Sequence, residues 1–199
     1  MIGIIDFGAG NIHSVKKAFD HLGLVSKIVT SPSDFRGIDR LVFPGVGSFG
    51  YAVQALSSKA LQPPINEWIK ADQPFLGICL GFQLLFQASE EAPGYKGFGF
   101  FKGKCLRFTQ KKVPQIGWND ISLKTNHPFF SDIQSGDYFY FVHSYYVLSE
   151  EDEAVWAQTV YGINYTSIAG RGNILGVQFH PEKSGSLGLR LLKNWVIKC

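Results

Sequence analysis

Phe75-Leu76-Gly77-Ile78-Cys79-Leu80-Gly81-Phe82-Gln83 is an apolar run that meets a thiol flanked two residues either side by glycine and then takes on helical spacing. The glycines decide its reading. Where a strand turns sharply into a helix that folds back over it, no room remains for a Cβ at the flanking positions, and the apex residue projects outward. The apex thiol also meets the helix amino terminus, whose free N–H groups and partial positive charge favour thiolate over thiol. A cysteine behind an apolar strand can instead be an inert packing residue. The paired glycines, together with a histidine and an acid at another strand end, favour a nucleophile.

Outward from this turn, strands alternate with helices. Ile2 to Phe7 reads as a buried strand, and Ile12 to Leu22 carries helical spacing through Ile12, Val15, Ala18, Phe19 and Leu22. Val25 to Val29 and Arg40 to Phe43 continue the sheet, Tyr51 to Ser57 and Ile65 to Ala71 supply helices, and Phe75 to Ile78 leads into an elbow helix over Leu80 to Gln87. Such alternation implies a parallel sheet with helices on both faces and sites at the carboxyl ends of its strands, where Cys79 falls. From Lys102 the pattern changes to short strands, closed by a helix from Leu187 to Val196. The expected fold is α/β, a three-layer sandwich with a central mostly parallel sheet, a nucleophile elbow, and antiparallel strand additions in the carboxyl-terminal half. No repeat, linker or low-complexity stretch divides residues 1–199, so a single domain is expected.

Ile174-Leu175-Gly176-Val177-Gln178-Phe179-His180-Pro181-Glu182 is a strand-like run that delivers a histidine and, two residues on, a carboxylate. Extended chain repeats its direction every second residue, so His180 and Glu182 can face one side. His180 could take the thiol proton and Glu182 could hold the imidazole in the needed tautomer, completing a nucleophile, base and orienter set. Gly45-Val46-Gly47-Ser48-Phe49-Gly50 also follows an apolar strand and fits a dinucleotide fingerprint, but Glu67, at the spacing required of a ribose-binding acid, lies in a helical pattern. The other reading is backbone N–H groups offered to a developing oxyanion. Gly8-Ala9-Gly10 is a second glycine turn in which His13 takes the place of a third glycine, which argues against phosphate binding.

Composition excludes several classes. Net charge is +3 with the basic residues scattered, Lys16-Lys17 and Lys111-Lys112 being the only basic doublets, so nucleic acid is not an expected partner. The aromatic runs Phe98 to Phe101 and Tyr138 to Phe141 read as core strands rather than base-stacking platforms. Cys79, Cys105 and Cys199 can form no full disulfide framework and match no zinc spacing, so a reducing compartment is expected. With no leader ahead of Ile2 and no run of membrane-spanning length, the expected location is cytoplasmic, away from membranes.

These motifs together resemble class I glutamine amidotransferases, most closely the glutaminase subunits of imidazole glycerol phosphate synthases. The resemblance covers almost the whole chain. It rests on Ile5-Asp6-Phe7-Gly8-Ala9-Gly10-Asn11-Ile12, Phe43-Pro44-Gly45-Val46-Gly47-Ser48-Phe49, the cysteine elbow, Val113-Pro114-Gln115-Ile116-Gly117-Trp118-Asn119, Phe141-Val142-His143-Ser144-Tyr145, and Gln178-Phe179-His180-Pro181-Glu182-Lys183-Ser184. It implies hydrolysis of L-glutamine to glutamate and ammonia through a thioester on Cys79, with His180 and Glu182 as partners and no metal or organic cofactor. It further implies oxyanion donors at Val46, Gly47 and Leu80, and a pocket bordered by His143, Ser144 and Tyr145 that holds the substrate's α-amino and α-carboxylate groups. Gln83, one helical turn after Cys79 and on the same face, could reach a ligand over the thiol, and the resemblance favours that role. A (β/α)8 cyclase subunit that receives the ammonia is the implied partner in a heterodimer, serving histidine biosynthesis, with Gln115, Trp118 and Asn119 in the docking element. Close relatives supply ammonia to sugar-amidination enzymes of surface-polysaccharide synthesis, and Asp6-Phe7-Gly8-Ala9-Gly10 departs mildly from the Asp-Tyr-Gly-Met-Gly of the histidine branch. From other classes, a non-catalytic binding or scaffold subunit and a nicotinamide-dependent oxidoreductase are the alternatives.

Overall fold

Short apolar runs alternate with amphipathic stretches, and the runs at the centre, Ile2–Ile5, Phe75–Ile78 and Ile174–Val177, become strands buried on both faces. The computed structural model describes residues 1–9 and 11–198; Gly10 of the amino-terminal glycine turn and Cys199 lie outside the described residues. The amino-terminal half contains β1 (Ile2–Ile5), α1 (Ile12–His21), β2 (Ser26–Val29), β3 (Arg40–Phe43), α2 (Phe49–Ser58), α3 (Gln62–Lys70), β4 (Phe75–Ile78), α4 (Leu80–Gln83) and β5 (Ala88–Ser89). The remainder adds β6 (Gly103–Arg107), β7 (Gln115–Asp120), β8 (Ser122–Leu123), β9 (Tyr138–His143), β10 (Tyr145–Ser149), β11 (Val155–Val160), β12 (Asn164–Arg171), β13 (Ile174–Val177) and α5 (Gly185–Lys198).

The main sheet runs β2-β1-β3-β4-β13-β12-β10-β6-β5, with β11 paired to β12 and β8 to β11. Its first five strands are parallel. From β13 through β12, β10 and β6 the pairings are antiparallel. β7 and β9 form a separate antiparallel pair. This is the α/β architecture with a parallel centre and antiparallel additions expected from the sequence.

Alternation along each central strand sorts the core into two layers. Ile4, Val42, Leu76, Ile78, Leu175 and Val177 pack with Val15 and Phe19 of α1 and with Leu191 and Trp195 of α5. Ile5, Leu41, Phe43, Phe75 and Ile174 face the opposite way, onto Phe49 and Leu56 of α2 and Ile65 and Trp68 of α3. A period of two puts alternate side chains on opposite faces, so one sheet serves both layers. Among the described residues, no helix is long and apolar enough to cross a membrane.

Two expectations fail near the elbow. Helix α4 ends at Gln83 rather than Gln87, and Phe98 to Phe101 is not a strand. The causes are linked. The carbonyls of Leu84, Leu85 and Phe86 accept the N–H groups of Phe98, Phe101 and Gly99, so the backbone that would prolong the helix bonds instead to an irregular strap. Gly97 lets that strap approach, since a Cβ there would stand 2.1 Å from the Phe86 oxygen.

Candidate active site

Cys79 follows β4 directly and precedes the first residue of α4, at φ +54, a left-handed value that side chains other than glycine rarely adopt. Its neighbours enforce it. A Cβ on Gly77 would lie 2.6 Å from the Gly81 oxygen, and one on Gly81 would lie 1.9 Å from the Phe43 oxygen. The flanking glycines therefore allow α4 to lie on β4 and β3, which is the steric condition for a strand-to-helix elbow. The Cys79 N–H donates to the Val177 oxygen at 2.8 Å, tying the apex to the end of β13.

Because β13 is paired with β4, Ile78 opposite Val177, the chain leaving β13 passes the thiol. The expected extended run through Glu182 is corrected here: the strand ends at Val177, and Pro181–Lys183 forms a 3-10 turn that proline starts. The turn still closes the pair, with His180 Nδ1 at 2.8 Å from Glu182 Oε1 and both side chains almost wholly buried. The His180 N–H donates to the Tyr140 oxygen at 2.9 Å. Ser184 Oγ donates to the His180 oxygen at 2.7 Å and accepts from the Tyr140 N–H at 3.0 Å, which clamps this turn to β9.

Nε2 of His180 is buried and closes no hydrogen bond with a protein atom. Burial alone would lower its pKa. The adjacent Cys79 sulfur, as a charge and as an acceptor within reach, outweighs burial together with the Glu182 carboxylate, and lifts the ring to about 10. Where the sulfur carries its charge, the ring accordingly holds a proton beside it.

A cavity of about 280 Å³ opens over Cys79. Val46, Gly47 and Leu80 line it together with His143, Ser144 and Tyr145, and Gln83 contributes as well. His180 and Glu182 are not among its lining residues. The structure thus gathers at one cavity, from three separate segments, the residues that the sequence nominated as oxyanion donors and substrate-pocket residues. Gly47 sits at φ +120, and the Leu80 N–H is held by the Gly45 oxygen in a long bond of 3.4 Å. His143 is buried, its Nδ1 at 2.7 Å from the Tyr145 oxygen and its Nε2 at 3.4 Å from the Tyr165 hydroxyl. Burial pushes its pKa down to about 4 against the opposing effect of the Tyr145 carbonyl, so this second imidazole is neutral.

The docking element needs correction at Gln115. That residue is 3% exposed and accepts the Tyr165 hydroxyl at 3.0 Å, so it faces inward. Asn119 shares its side of β7, is half-buried, and donates to the Val160 oxygen. Trp118 lies on the other side, where Ile116, Trp118 and Tyr138 are 62%, 56% and 54% exposed. The two-residue period of a strand separates the named trio, and Ile116 rather than Gln115 accompanies Trp118.

Sequence reasoning missed two site residues. Glu91 lines the cavity and accepts the Phe49 N–H at 2.8 Å, yet within Ser89-Glu90-Glu91 it reads as an acidic surface loop. Gln178 is fully buried, with Nε2 at 3.7 Å from Cys79 Sγ. A polar residue inside Val177-Gln178-Phe179 was the available signal, since buried amides need partners.

Comparison with known proteins supplies the context of this geometry. A family model described as glutamine amidotransferase class-I matches residues 3–199. The chain is 43% identical to the imidazole glycerol phosphate synthase subunit HisH of Caldanaerobacter subterraneus subsp. tengcongensis, with 100% of each covered. It is 46% identical to the protein of that name from Thermococcus kodakarensis, with 98% of each covered. Among solved structures, a glutamine amidotransferase superposes with a TM-score of 0.79 at 17% identity, covering 98% of this chain and 97% of the other. PurLQS from Thermotoga maritima superposes at 0.77 and 18% identity, with the same coverage. At those identities the two structures speak for the fold alone.

Proposed function

The chain belongs to the class I glutamine amidotransferase family, and from that premise we propose that it is the glutaminase subunit of an imidazole glycerol phosphate synthase, releasing ammonia from L-glutamine for histidine biosynthesis. Relatives at full coverage carry that subunit's name, which favours the histidine branch over sugar amidination. The observation that carries the chemistry is the buried His180–Glu182 pair beside a thiol that lines a cavity.

In this reading the Cys79 thiolate attacks the side-chain carboxamide carbon of glutamine, and the carbonyl π electrons move to oxygen. Collapse of that intermediate breaks the C–N bond as the His180 imidazolium gives its proton to nitrogen, so ammonia departs and a γ-glutamyl thioester remains. Acylation removes the charge from sulfur, which is one of the groups lifting the His180 pKa. The now neutral ring takes a proton from water as its oxygen attacks the thioester carbon; collapse of that intermediate breaks the C–S bond, glutamate leaves, and the thiolate–imidazolium pair is restored. Glu182 orients the ring through Nδ1 in both halves.

Backbone N–H groups of Val46, Gly47 and Leu80 are the proposed oxyanion donors. Since the Leu80 N–H is occupied by the Gly45 oxygen, binding the oxyanion requires that long bond to be exchanged. Glycine at position 47 permits the backbone to rotate at small cost. Glu91, a carboxylate at the cavity wall, complements the substrate's ammonium, while Ser144 and Tyr145 face its carboxylate end. His143 braces Tyr145 through its carbonyl.

Free ammonia is mostly protonated near neutral pH, so a partner that takes it directly is part of the proposal. That partner is a (β/α)8 cyclase subunit, and the exposed face of β7 and β9 is its proposed docking surface. The test is labelling with 6-diazo-5-oxonorleucine followed by peptide mass spectrometry, alongside glutamate release by the co-purified complex. Label on Cys79, and loss of both signals in Cys79→Ala, are expected. Glutamate release retained by Cys79→Ala would overturn the mechanism.

A further inference from the structure

Gln178 is fully buried, and no step above uses it. Its backbone N–H is satisfied by the Ser167 oxygen at 2.8 Å, while its side chain bridges two site residues. Oε1 accepts from Gln83 Nε2 at 3.2 Å, and Nε2 stands 3.7 Å from Cys79 Sγ. The two ends of a side-chain amide have nearly the same shape, so which end meets the sulfur has to follow from the surrounding partners. Those partners leave one solution. The Tyr145 backbone carbonyl can only accept, so the end of Gln83 lying 2.9 Å from it is the NH2 group. That nitrogen also faces Gln178, which must present its oxygen there. The remaining end of Gln178, the end that meets sulfur, is therefore NH2. A single carbonyl fixes two amides in series and turns a donor onto the reacting atom.

We infer that Gln178 is a further catalytic residue, its amide donating to the Cys79 sulfur and favouring the thiolate, with Gln83 as the positioning residue that sets its orientation. The inference rests on the reading of Cys79 as nucleophile. A hydrogen bond to the charged form of a group favours that form, the more so where water is excluded. The same bond also tempers the sulfur's reactivity, because intrinsic nucleophilicity falls with basicity. Donation thus raises the amount of thiolate while making each thiolate slower. These opposed effects give the proposal a signature that simple packing lacks.

The experiment compares the full-length chain with Gln178→Met, which keeps similar bulk and removes the donor, by following iodoacetamide alkylation of Cys79 across pH with peptide mass spectrometry. On the acid limb the variant is expected to react about threefold more slowly, and on the alkaline plateau about threefold faster, so the profiles cross. Superimposed profiles would overturn the inference, and so would a uniform loss at every pH, which marks a packing defect. Should Gln178→Met fail to fold, the side-chain amide resonances of ¹⁵N-glutamine-labelled wild type decide. The Gln178 NH2 signal is expected to move as Cys79 ionises and to stay fixed over that range in Cys79→Ala; a signal indifferent to the thiol overturns the proposal. Turnover by Cys79→Ala would instead remove the nucleophile itself, a failure distinct from either.

Discussion

At position 79 a cysteine is held at φ +54 by contacts that its glycine neighbours make possible, and the two buried imidazoles nearby are shifted in opposite directions. His180 is lifted to about 10 by the charged sulfur and the Glu182 carboxylate, so in the proposed mechanism the proton for the departing amine is held on the ring beside the thiolate and is lost as pH rises through that value. Glu182→Gln removes one of the lifting groups. Its expected effects are a fall in kcat of about a hundredfold and an alkaline limb displaced to lower pH, read from glutamate release across pH. His143 behaves in the opposite sense, with its folded value near 4 against an ordinary 6.5. Between those pH values the unfolded chain takes up a proton that the folded chain refuses. The stabilisation from the neutral ring is therefore complete above about pH 6.5 and is lost as pH falls toward 4, amounting to roughly 3 kcal/mol. Urea midpoints should decline through that window, and His143→Asn should flatten the decline.

At the level of elements, strands β3 and β4 lie where their continuous apolar runs placed them, and the helices over Val15 to Phe19 and Ile65 to Ile69 follow from amphipathic spacing. Their neighbours were less legible. Leu84, Leu85 and Phe86 prolong the helical pattern, but whether their carbonyls serve a helix or the strap at 98–101 is decided by a tertiary approach that local spacing does not encode. The Cys79 and His180 segments announced themselves through glycines and a strand end. Glu91 did not, since a loop carboxylate turns into a cavity wall only once α2 is packed beside it. Gln115 was misread for a simpler reason: a motif names residues without naming faces, and the strand sends alternate side chains apart. That alternation is testable. Trp118→Ala, on the exposed face, should weaken binding of the proposed cyclase subunit by about thirtyfold or more, measured calorimetrically, with little change in Tm. Gln115→Ala should lower Tm instead, because it removes the acceptor of the buried Tyr165 hydroxyl.

For the whole molecule, one sheet carries both apolar layers, so neither layer can persist once its strands separate. Thermal unfolding is expected as a single transition with calorimetric and van't Hoff enthalpies in agreement; two resolved transitions would divide the chain. The order of the sheet carries a further consequence. β13, the last strand in the chain, inserts between β4 and β12 at the centre rather than joining an edge. During synthesis on the ribosome the elbow emerges long before the residues that can arm it. A nascent polypeptide can display the sulfur without yet having the proposed proton carrier, and the proposed deamidation has to wait until translation has passed position 182.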